Sequence, residues 1–451
     1  MTEKRVAVIG AGITGLTAAF RLQNYGYNVE LFESSDRVGG SIQTVPLGRA
    51  TVDIGPSGIL ASRQSVLNLV DDLGLTDQWL EASPDSNRRY IYYKGQLNEV
   101  PSSPPKLLLA PWIPLSSKLR ILTEYFRSPK LNSDSESLEE LVTRRFGRFV
   151  ADVMVDAMVS GIHAAPAKSL EAKAAFPILQ EFEQNHGSIL KGLIQQMKSR
   201  KRQLPEQTST LKGMLNLRGG LETLPRALAE QLKMVHLNTP VTGLQLRSDG
   251  WLVESNKGAE SFSHVVLTLP AKQAAKCLTS VDPTLVEQLD AFEYTPLGNV
   301  IFYFEEPIES PPGFGYLSPG IEDRPILGCL FLERIFPELV PKDCTVLRAF
   351  IGGQRASDQV KLSDDDLIKV VTDELQAVLK CTLPTPTQVK VVRWPTSLPF
   401  YGIGTSARWQ KLEATLTKFE GLYLGGNWIH GASVADCVSR GDTLAKRILE
   451  Q

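Results

Sequence analysis

The first forty residues constrain the fold more than any other stretch of the chain. A short apolar run, Val6–Ile9, predicts a strand that is buried on both faces of a parallel sheet. The turn GAGITG at residues 10–15 follows directly, and Leu16–Leu22 predicts a helix. A strand, a tight glycine turn and a helix in this order are typical of a dinucleotide-binding βαβ unit.

Each glycine of this turn has a predicted role. Gly10 permits the turn, Gly12 lets a pyrophosphate approach the backbone, and Gly15 lets the helix pack closely on the strand. The helix N-terminus would present free N–H groups and the positive end of its dipole to the phosphates. A second apolar strand, Val29–Phe32, is followed by Glu33, and its offset of 23 residues from Gly10 suits the acid that binds a ribose hydroxyl.

The composition limits the classes of protein that the chain can belong to. Its 451 residues predict two or three intertwined lobes, and 42% hydrophobic residues suffice for their cores. The 48 basic and 50 acidic side chains nearly cancel, so no nucleic-acid partner is expected. Five widely spaced cysteines without a C-x-x-C pair indicate neither a disulfide framework nor a metal site, and they favour the cytoplasm.

The residues after Glu33 indicate which dinucleotide is bound. Ser34-Ser35-Asp36-Arg37-Val38-Gly39-Gly40-Ser41 extends the motif in a way that a plain nicotinamide dehydrogenase does not need. Here the chain resembles the FAD-containing amine-oxidase superfamily, in which the arginine and the two glycines surround the FAD pyrophosphate and ribityl region. The resemblance implies an α/β fold. Its parts are a Rossmann-like FAD-binding domain of the amine-oxidase/PHBH type, an interleaved β-rich substrate domain and an inserted α-helical membrane-binding domain.

Three further segments match flavin contacts of that superfamily. The turn after Val52-Asp53-Ile54 is expected beneath the isoalloxazine ring, and the backbone of Val241 beside the adenine. A strand, a glycine turn and a helix start at residues 421–438 would aim a second helix N-terminus at the flavin pyrimidine ring. The resemblance implies non-covalent FAD. The cofactor-binding residues that it implies are Gly10, Ala11, Gly12, Ile13, Thr14, Gly15, Glu33, Ser34, Arg37, Gly39, Gly40, Ser41, Gly55, Pro56, Ser57, Gly58, Val241, Gly426, Asn427, Ala432, Ser433 and Val434.

A hairpin narrows the resemblance to the flavin-dependent protoporphyrinogen oxidases. Residues 87–97 alternate as in a strand, turn at Lys94-Gly95 and resume. The matching arginine is Arg89, which in that family faces the propionates of a tetrapyrrole, because a planar guanidinium binds a carboxylate in two places. The other substrate-positioning residues that the resemblance implies are Gly161, Leu317, Leu330 and Phe350. His163, where the family has Tyr or Phe, is predicted to pack rather than to act as a base.

The resemblance also implies an activity. It is the oxidation of protoporphyrinogen IX to protoporphyrin IX in haem and porphyrin biosynthesis, in three two-electron steps that each turn one O2 into H2O2. Coproporphyrinogen III, with four carboxylates instead of two, stays open as the substrate. The sequence also leaves room for a flavin amine oxidase, a carotenoid desaturase or isomerase, and a flavin-bearing scaffold without turnover.

Residues 106–126 combine an apolar run with flanking positive charges. The run Leu107–Leu115 is too short to span a bilayer, but its tryptophan and the nearby Lys118 and Arg120 suit a membrane interface. The same pattern would also suit a helix of a substrate lobe with one buried face. We predict a cytoplasmic enzyme attached peripherally to the cytoplasmic membrane, and the sequence leaves a homodimer open.

The motifs divide the chain into three predicted domains. A discontinuous FAD-binding domain comprises residues 1–85, 210–290 and 400–451. The substrate-binding domain comprises residues 86–100 and 291–399. Residues 101–209 form a helical domain that associates with the membrane.

Overall fold

The computed structural model describes residues 5–130, 135–202 and 211–450. Residues 1–4, 131–134, 203–210 and 451 lie outside it, so those parts of the predicted domain ranges 1–85, 101–209, 210–290 and 400–451 do too. The strands are β1 (Arg5–Ile9), β2 (Asn28–Phe32), β3 (Thr44–Leu47), β4 (Ala50–Asp53), β5 (Ile59–Leu60), β6 (Trp79–Glu81), β7 (Tyr90–Tyr93), β8 (Gln96–Glu99), β9 (Met214–Leu217), β10 (Val235–His236), β11 (Val241–Arg247), β12 (Gly250–Ser255), β13 (Gly258–Phe262), β14 (His264–Leu267), β15 (Tyr294–Phe304), β16 (Gly315–Leu317), β17 (Ile326–Phe331), β18 (Thr345–Gly352), β19 (Gln388–Pro399) and β20 (Leu422–Leu424).

The helices are α1 (Ile13–Asn24), α2 (Gln64–Asp72), α3 (Pro104–Leu109), α4 (Leu115–Thr123), α5 (Leu138–Phe146), α6 (Asp156–His163), α7 (Ala172–Ala175), α8 (Pro177–His186), α9 (Ile189–Arg202), α10 (Thr223–Gln231), α11 (Ala271–Cys277), α12 (Pro283–Asp290), α13 (Leu332–Ile335), α14 (Asp364–Leu379), α15 (Thr405–Leu416) and α16 (Val434–Leu449). A π-helical segment, Val150–Val155, leads into α6.

A parallel sheet organises the part of the fold that the first motif predicts. Its strand order is β10-β2-β1-β14-β20, so β1 lies between β2 and a strand from more than 250 residues later. Helix α1 follows β1 after the glycine turn, and α16 packs against α1. Ligands of such sheets bind outside the carboxyl ends of the strands, where neighbouring connections diverge. That position is the gap between the ends of β1 and β14.

The sequence pattern also predicts one strand over Val235–Val241, and this prediction is wrong in the middle of the segment. Strand β10 ends at His236 and β11 begins at Val241. Between them Asn238 has a left-handed φ of 51°, and Pro240 has no N–H to donate to a ladder. The connecting segment lies instead against the end of β2, where the Thr239 N–H donates to the Glu33 carbonyl oxygen at 2.8 Å.

A second sheet joins two segments that are distant in sequence. Its order is β19-β15-β18-β17-β16-β7-β8, which places the hairpin of residues 90–99 beside strands from residues 294–399. The hairpin turns at Lys94 and Gly95, whose φ angles of 53° and 74° are both left-handed, as a two-residue hairpin turn requires. One face of the sheet packs on α14 through Tyr316 and Phe331 among others. The opposite face points toward the flavin-binding part of the chain.

The residues between β8 and β9 that the structure describes are helical. The N-terminus of α5 carries a capping box, in which Ser137 and Glu140 each accept a backbone N–H of the other. A buried ion pair between Glu124 and Arg145 joins the end of α4 to α5. Among the described residues, no helix is both long and apolar enough to cross a bilayer.

Candidate active site

The glycine turn after β1 is shaped as its sequence predicts. Gly10 has a φ of 104°, which a residue with a side chain rarely adopts. A Cβ on Gly15 would lie 2.0 Å from the Gly10 carbonyl oxygen, so only glycine lets α1 start this close to the turn. The Thr268 hydroxyl at the end of β14 donates to the carbonyl oxygens of Ile9 and Gly10, at 3.0 and 2.9 Å. The turn is therefore held on one side by the start of α1 and on the other by Thr268 at the end of β14.

Two glycine-rich turns meet at the start of α1. The Gly39 N–H donates to the Ala11 carbonyl oxygen at 2.8 Å, and a Cβ on Gly40 would lie 3.5 Å from Gly12. A Cβ on Gly12 would meet nothing within 4 Å. In the described part of the chain, no hydrogen-bond acceptor is found for the N–H groups of residues 13 and 14. This open cradle of free N–H groups fits a pyrophosphate.

Glu33 lies at the end of β2 and reaches back to the turn. Its Oε2 accepts the Ala11 N–H at 2.8 Å, and its Oε1 accepts the N–H and the hydroxyl of Ser35 at 2.9 and 2.8 Å. The Ser34 hydroxyl is 3.3 Å from the same Oε1. A carboxylate oxygen has more than one lone pair, so Glu33 can still accept a ribose hydroxyl. The segment that leads to Val241 passes beside it.

Arg37 holds the second glycine turn closed. Its two terminal nitrogens donate to the carbonyl oxygens of Gly40 and Ile42, at 2.8 and 2.7 Å. Ser41 then approaches the later turn at residues 55–58, because a Cβ on Gly55 would lie only 1.8 Å from the Ser41 carbonyl oxygen. A Cβ on Gly58 would meet the Met214 side chain at 2.7 Å. Consecutive predicted cofactor segments are thus in contact.

A buried arginine that the sequence interpretation missed holds the 53–57 segment. Arg348, on β18, donates to the carbonyl oxygens of Asp53, Ile54 and Gly55 and to the hydroxyl of Ser57, at distances from 2.6 to 2.8 Å. The available signal was one charged residue inside the apolar run VLRAFIG. A charge there predicts either an error in the strand assignment or a buried partner.

Three strands of the second sheet place the predicted substrate contacts on one face. Two rows of directly opposed residues cross β16, β17 and β18: Leu317, Gly328 and Phe350 in one, and Gly315, Leu330 and Arg348 in the other. Opposed residues share a face of a sheet. Leu317, Leu330 and Phe350 therefore line the face that also carries Arg348, and glycines separate the large side chains.

Gly161 packs against this face from α6. A Cβ on Gly161 would lie 2.7 Å from Leu317 Cδ2, so the two predicted contacts are neighbours. Arg355 fixes the same helix, donating to the Asp156 carboxylate at 2.6 Å and to the Ser318 carbonyl oxygen at 2.9 Å. The structure thereby brings α6 and β16 together, although they are more than 150 residues apart.

Arg89 lies at the edge of the same region with its charge uncompensated. Its guanidinium stands over the Phe314 ring, 4.9 Å from the centroid, and Phe314 and Leu330 pack on one hydrophobic cluster. Within residues 5–130, 135–202 and 211–450 it has neither a carboxylate nor a hydrogen-bond partner, and desolvation lowers its pKa. The adjacent Arg88 differs, because it forms an ion pair with Glu99 at 2.7 Å. Arg89 is therefore free to bind an anion.

The C-terminal turn closes the other side of the predicted flavin site. Gly426 has a φ of 130°, and the Asn427 carbonyl oxygen accepts the Tyr401 hydroxyl at 2.9 Å. Ala432 follows in the turn before α16 and is half-buried. The Ser433 hydroxyl caps α16 in a capping box with Asp436, so this side chain is already engaged. The N–H of Val434 in the first turn of α16 has no acceptor among the described residues, as an anion-binding helix start requires.

Cys437 has surroundings that do not suit a covalent flavin link. Its side chain is buried in the α1–α16 core, and burial raises the pKa of the thiol to about 12. A thiol of that pKa is not nucleophilic near neutral pH. Among the described residues, no group of three or more His, Cys, Asp or Glu could hold a metal ion.

His163 is buried, as its predicted packing role requires. Its ring lies 5.5 Å from Phe176 and 5.4 Å from Tyr401. Burial lowers the pKa of His163 to about 4. The ring is therefore neutral at physiological pH, and the described residues include no charged partner that would orient it as a base.

This low pKa predicts an acid-sensitive contribution to stability. The unfolded chain binds a proton at His163 with an ordinary pKa of about 6.5, whereas the folded protein resists protonation until about pH 4. The free energy of unfolding should fall by about 2 kcal/mol between pH 7 and pH 5 through this residue alone. In urea titrations at both pH values, His163→Phe should remove that part of the loss. His186→Phe, at the end of α8, is the control, and equal pH dependence in both variants would contradict the assignment.

The chain is similar over nearly its whole length to several known proteins. The family model described as flavin containing amine oxidoreductase matches residues 13–449. The mitochondrial protoporphyrinogen oxidase of Nicotiana tabacum is 31% identical over 99% of this chain and 95% of its own length. The coproporphyrinogen III oxidase of Bacillus subtilis (strain 168) is 30% identical over 97% of this chain and 96% of its own. A crystal structure from Exiguobacterium sp. 255-15, provisionally assigned as a protoporphyrinogen oxidase, superimposes with a TM-score of 0.84 at 25% identity, covering 100% of both chains.

Proposed function

The chain belongs to the flavin containing amine oxidoreductases, and from this membership we propose that it is an oxygen-dependent protoporphyrinogen oxidase. The observation that carries the proposal is the sheet face with Leu317, Leu330 and Phe350. At one edge lies Arg89, which is unpaired among the described residues, and at the other lies the predicted flavin turn. A largely apolar tetrapyrrole macrocycle with carboxylate tails matches both features. A small aliphatic amine matches neither.

The residues of this chain position the substrate and supply the charge that binds its carboxylates. FAD held in this site would supply the redox chemistry, which is the uptake of a hydride equivalent and its reoxidation by O2. Protoporphyrinogen IX loses six hydrogens in becoming protoporphyrin IX, so three O2 are converted to three H2O2. Arg89 binds a propionate, while Leu317, Leu330 and Phe350 hold the rings against the flavin. The cradle at Gly12, Glu33 and Arg37 holds the cofactor.

Coproporphyrinogen III is the second candidate substrate. The Bacillus subtilis relative, whose name gives that substrate, is as similar to this chain as the plant enzymes are. An anaerobic stopped-flow experiment distinguishes the two, since loss of the oxidised-flavin absorbance reports reduction by each porphyrinogen separately. We expect protoporphyrinogen IX to reduce the flavin with a higher kcat/KM than coproporphyrinogen III does. Bleaching by spermine or tyramine and by neither porphyrinogen would overturn the proposal.

The free charge of Arg89 leads to a specific kinetic prediction. Arg89→Ala removes a charge-assisted hydrogen bond worth about 1.5–3 kcal/mol, so kcat/KM should fall about 10- to 100-fold while FAD stays bound. Arg88→Ala is the matched control, because its guanidinium is already paired with Glu99. Steady-state oxidation and flavin absorbance of both variants test this. Equal kinetics in the two variants would remove Arg89 from the substrate site.

The domain division is also part of the proposal. The seven-stranded sheet contains β7, β8 and β15 to β19, which supports one substrate-binding domain made from residues 86–100 and 291–399. The parallel sheet draws its strands from residues 5–32, 235–267 and 422–424, which supports a discontinuous FAD-binding domain. The described part of residues 101–209 is helical and inserted between the two.

We propose that this helical insertion attaches the enzyme to a membrane surface from the cytoplasm. Large apolar side chains are exposed along it: Leu108, Leu109, Leu115, Leu119, Leu122 and Phe126 at its start, and Leu193, Ile194 and Met197 on α9. Leu109 and Phe126 are 80% and 83% exposed. Lys191 lies over the Tyr125 ring at 4.5 Å, so α9 adjoins the segment after α4. Interfacial segments combine such apolar residues with positive charge.

Vesicle binding tests the attachment. The double variant Leu109→Ser, Phe126→Ser should partition onto vesicles of anionic and zwitterionic phospholipid at least about 10-fold more weakly, since each buried apolar side chain contributes about 1.5–3 kcal/mol. The control replaces Leu60 and Ile321, which are exposed elsewhere on the molecule. Cosedimentation measures both. Unchanged partitioning of the first variant would exclude this surface.

A further inference from the structure

One buried cation links the two halves of the proposed active site. Arg348 is 2% exposed and lies on β18, in the sheet that carries the proposed substrate contacts. Its terminal nitrogens donate four hydrogen bonds, all to residues 53–57 of the flavin-binding part. We infer that Arg348 is the positioning residue that sets the flavin-facing turn at a fixed distance from the substrate face. This inference rests on the proposed function.

The side chain contacts both elements at once. The Arg348 guanidinium carbon lies 4.9 Å from the centroid of the Phe350 ring, two residues along the same strand. Leu330 is directly opposite Arg348 in the sheet. One terminal nitrogen of the same guanidinium donates to the carbonyl oxygens of Ile54 and Gly55, at 2.8 and 2.7 Å. A displacement of the turn would therefore displace it relative to the aromatic ring that the substrate is proposed to touch.

Side chains on two other strands of the sheet, β15 and β19, donate hydrogen bonds to the same turn. The Asn299 amide on β15 and the Trp394 indole N–H on β19 each donate to the Ile54 carbonyl oxygen, at 3.3 Å. Arg348 donates to that same oxygen, so donors from three strands converge on one carbonyl. Of these three donors, Arg348 also donates to the carbonyl oxygens of Asp53 and Gly55, on either side of Ile54. Arg348 thus forms more hydrogen bonds to this turn than Asn299 or Trp394 does.

The turn at residues 53–57 presents carbonyl oxygens to the Arg348 guanidinium, and the Asp53 carboxylate compensates the charge of that guanidinium. Three carbonyl oxygens in succession and the Ser57 hydroxyl accept from one guanidinium, whose rigid planar fork serves all four, whereas an ammonium has only three donors. Asp53, at the start of the turn, is also buried, and its carboxylate accepts from the Thr44 hydroxyl, the Asn216 amide and the Leu221 N–H. The attraction between Asp53 and Arg348 opposes the desolvation of both.

Substitution should therefore affect the flavin more than the substrate. In Arg348→Met the carbonyl oxygens of Asp53 and Gly55 lose the donor that Arg348 supplies, and that of Ile54 loses one of its three side-chain donors. The turn then relaxes, and the FAD dissociation constant should rise about 10-fold or more. Leu330 and Phe350 remain in their strands, so KM for the porphyrinogen should change less than about 2-fold while kcat falls about 10-fold or more. Arg348→Lys keeps the charge and should recover part of both losses. Ser57→Ala removes one of the four hydrogen bonds and should raise the dissociation constant only a few-fold.

The control is an arginine of the same sheet that binds carbonyl oxygens elsewhere. Arg393 on β19 donates to the carbonyl oxygens of Val360 and Leu362, at 2.9 and 2.7 Å, and none of its side-chain hydrogen bonds within the described residues reaches a flavin-binding segment. Arg393→Met should leave the FAD dissociation constant and kcat at the wild-type values. FAD titration of the apoproteins, followed by fluorescence quenching, measures affinity without reference to turnover. Steady-state oxidation of the porphyrinogen at saturating FAD then gives kcat and KM.

Each outcome decides the inference. A raised FAD dissociation constant and lowered kcat in Arg348→Met, with partial recovery in Arg348→Lys, support it. Wild-type affinity and kcat in Arg348→Met, or equal losses in Arg393→Met, overturn it. If Arg348→Met does not fold, Arg348→Lys and Ser57→Ala decide through the graded FAD affinity. If wild-type enzyme oxidises no porphyrinogen, the proposed function fails, and the FAD titrations still test Arg348.

Discussion

Replacing Gly12 by valine should abolish stable FAD binding and leave the apoprotein folded. Gly12 has φ and ψ of −69° and 168°, which valine adopts readily, and a Cβ there meets no protein atom within 4 Å. The added side chain would occupy the space beside the free N–H groups at the start of α1. A pyrophosphate that loses two or more charge-assisted hydrogen bonds of about 1.5–3 kcal/mol each should bind at least about 100-fold more weakly.

Gly15→Ala is the informative comparison for that variant. Its Cβ would lie 2.0 Å from the Gly10 carbonyl oxygen and 2.5 Å from the Thr268 hydroxyl, so the protein itself must shift. We expect Gly15→Ala to lower the melting temperature of the apoprotein as well as the FAD affinity. Differential scanning fluorimetry without FAD and titration with FAD separate the two effects. A fully loaded, yellow Gly12→Val protein would show that the pyrophosphate does not lie at this turn.

The glycines of this turn show which parts of the structure can be predicted from the sequence. The roles of Gly10 and Gly15 follow from local geometry, because strand, turn and helix are consecutive in the chain. The Lys94-Gly95 turn was predictable for the same reason, since its two positions need left-handed backbone conformations. Short-range patterns of this kind fix an element's type and its approximate ends.

Long-range contacts needed the folded structure. Arg348 binds residues that are 291 to 295 positions earlier, and no pattern around either segment names the other. The break between β10 and β11 was missed because apolar residues on both sides of Pro240 suggested one strand. The exposed apolar residues of α9 were missed for a different reason: periodicity shows that a helix has an apolar face, but tertiary packing decides whether that face is covered.

The second large effect concerns the helical insertion, where Glu124→Gln should destabilise the protein by about 3–5 kcal/mol. Glu124 and Arg145 are both fully buried and form an ion pair. The carboxylate also accepts the Ser188 hydroxyl at 2.6 Å and the N–H groups of Ile189 and Leu190, at 3.0 and 3.1 Å. One side chain therefore joins the end of α4 to α5 and to the start of α9. Glutamine has half the acceptor capacity and leaves the buried guanidinium without its main counter-charge.

The matched control is Glu139→Gln, whose ion pair with Arg148 at 3.7 Å joins two more exposed side chains. Exposed pairs of this kind contribute about 1 kcal/mol or less, so the control should unfold close to wild type in urea. Glu124 connects the helices that carry the exposed apolar residues, so Glu124→Gln should also weaken vesicle binding, while Gly12 and its surroundings stay intact and FAD affinity is retained. Equal unfolding midpoints for the two variants would mean that the insertion does not depend on this ion pair. Loss of FAD before loss of vesicle binding would mean that the insertion and the cofactor cradle unfold as one unit.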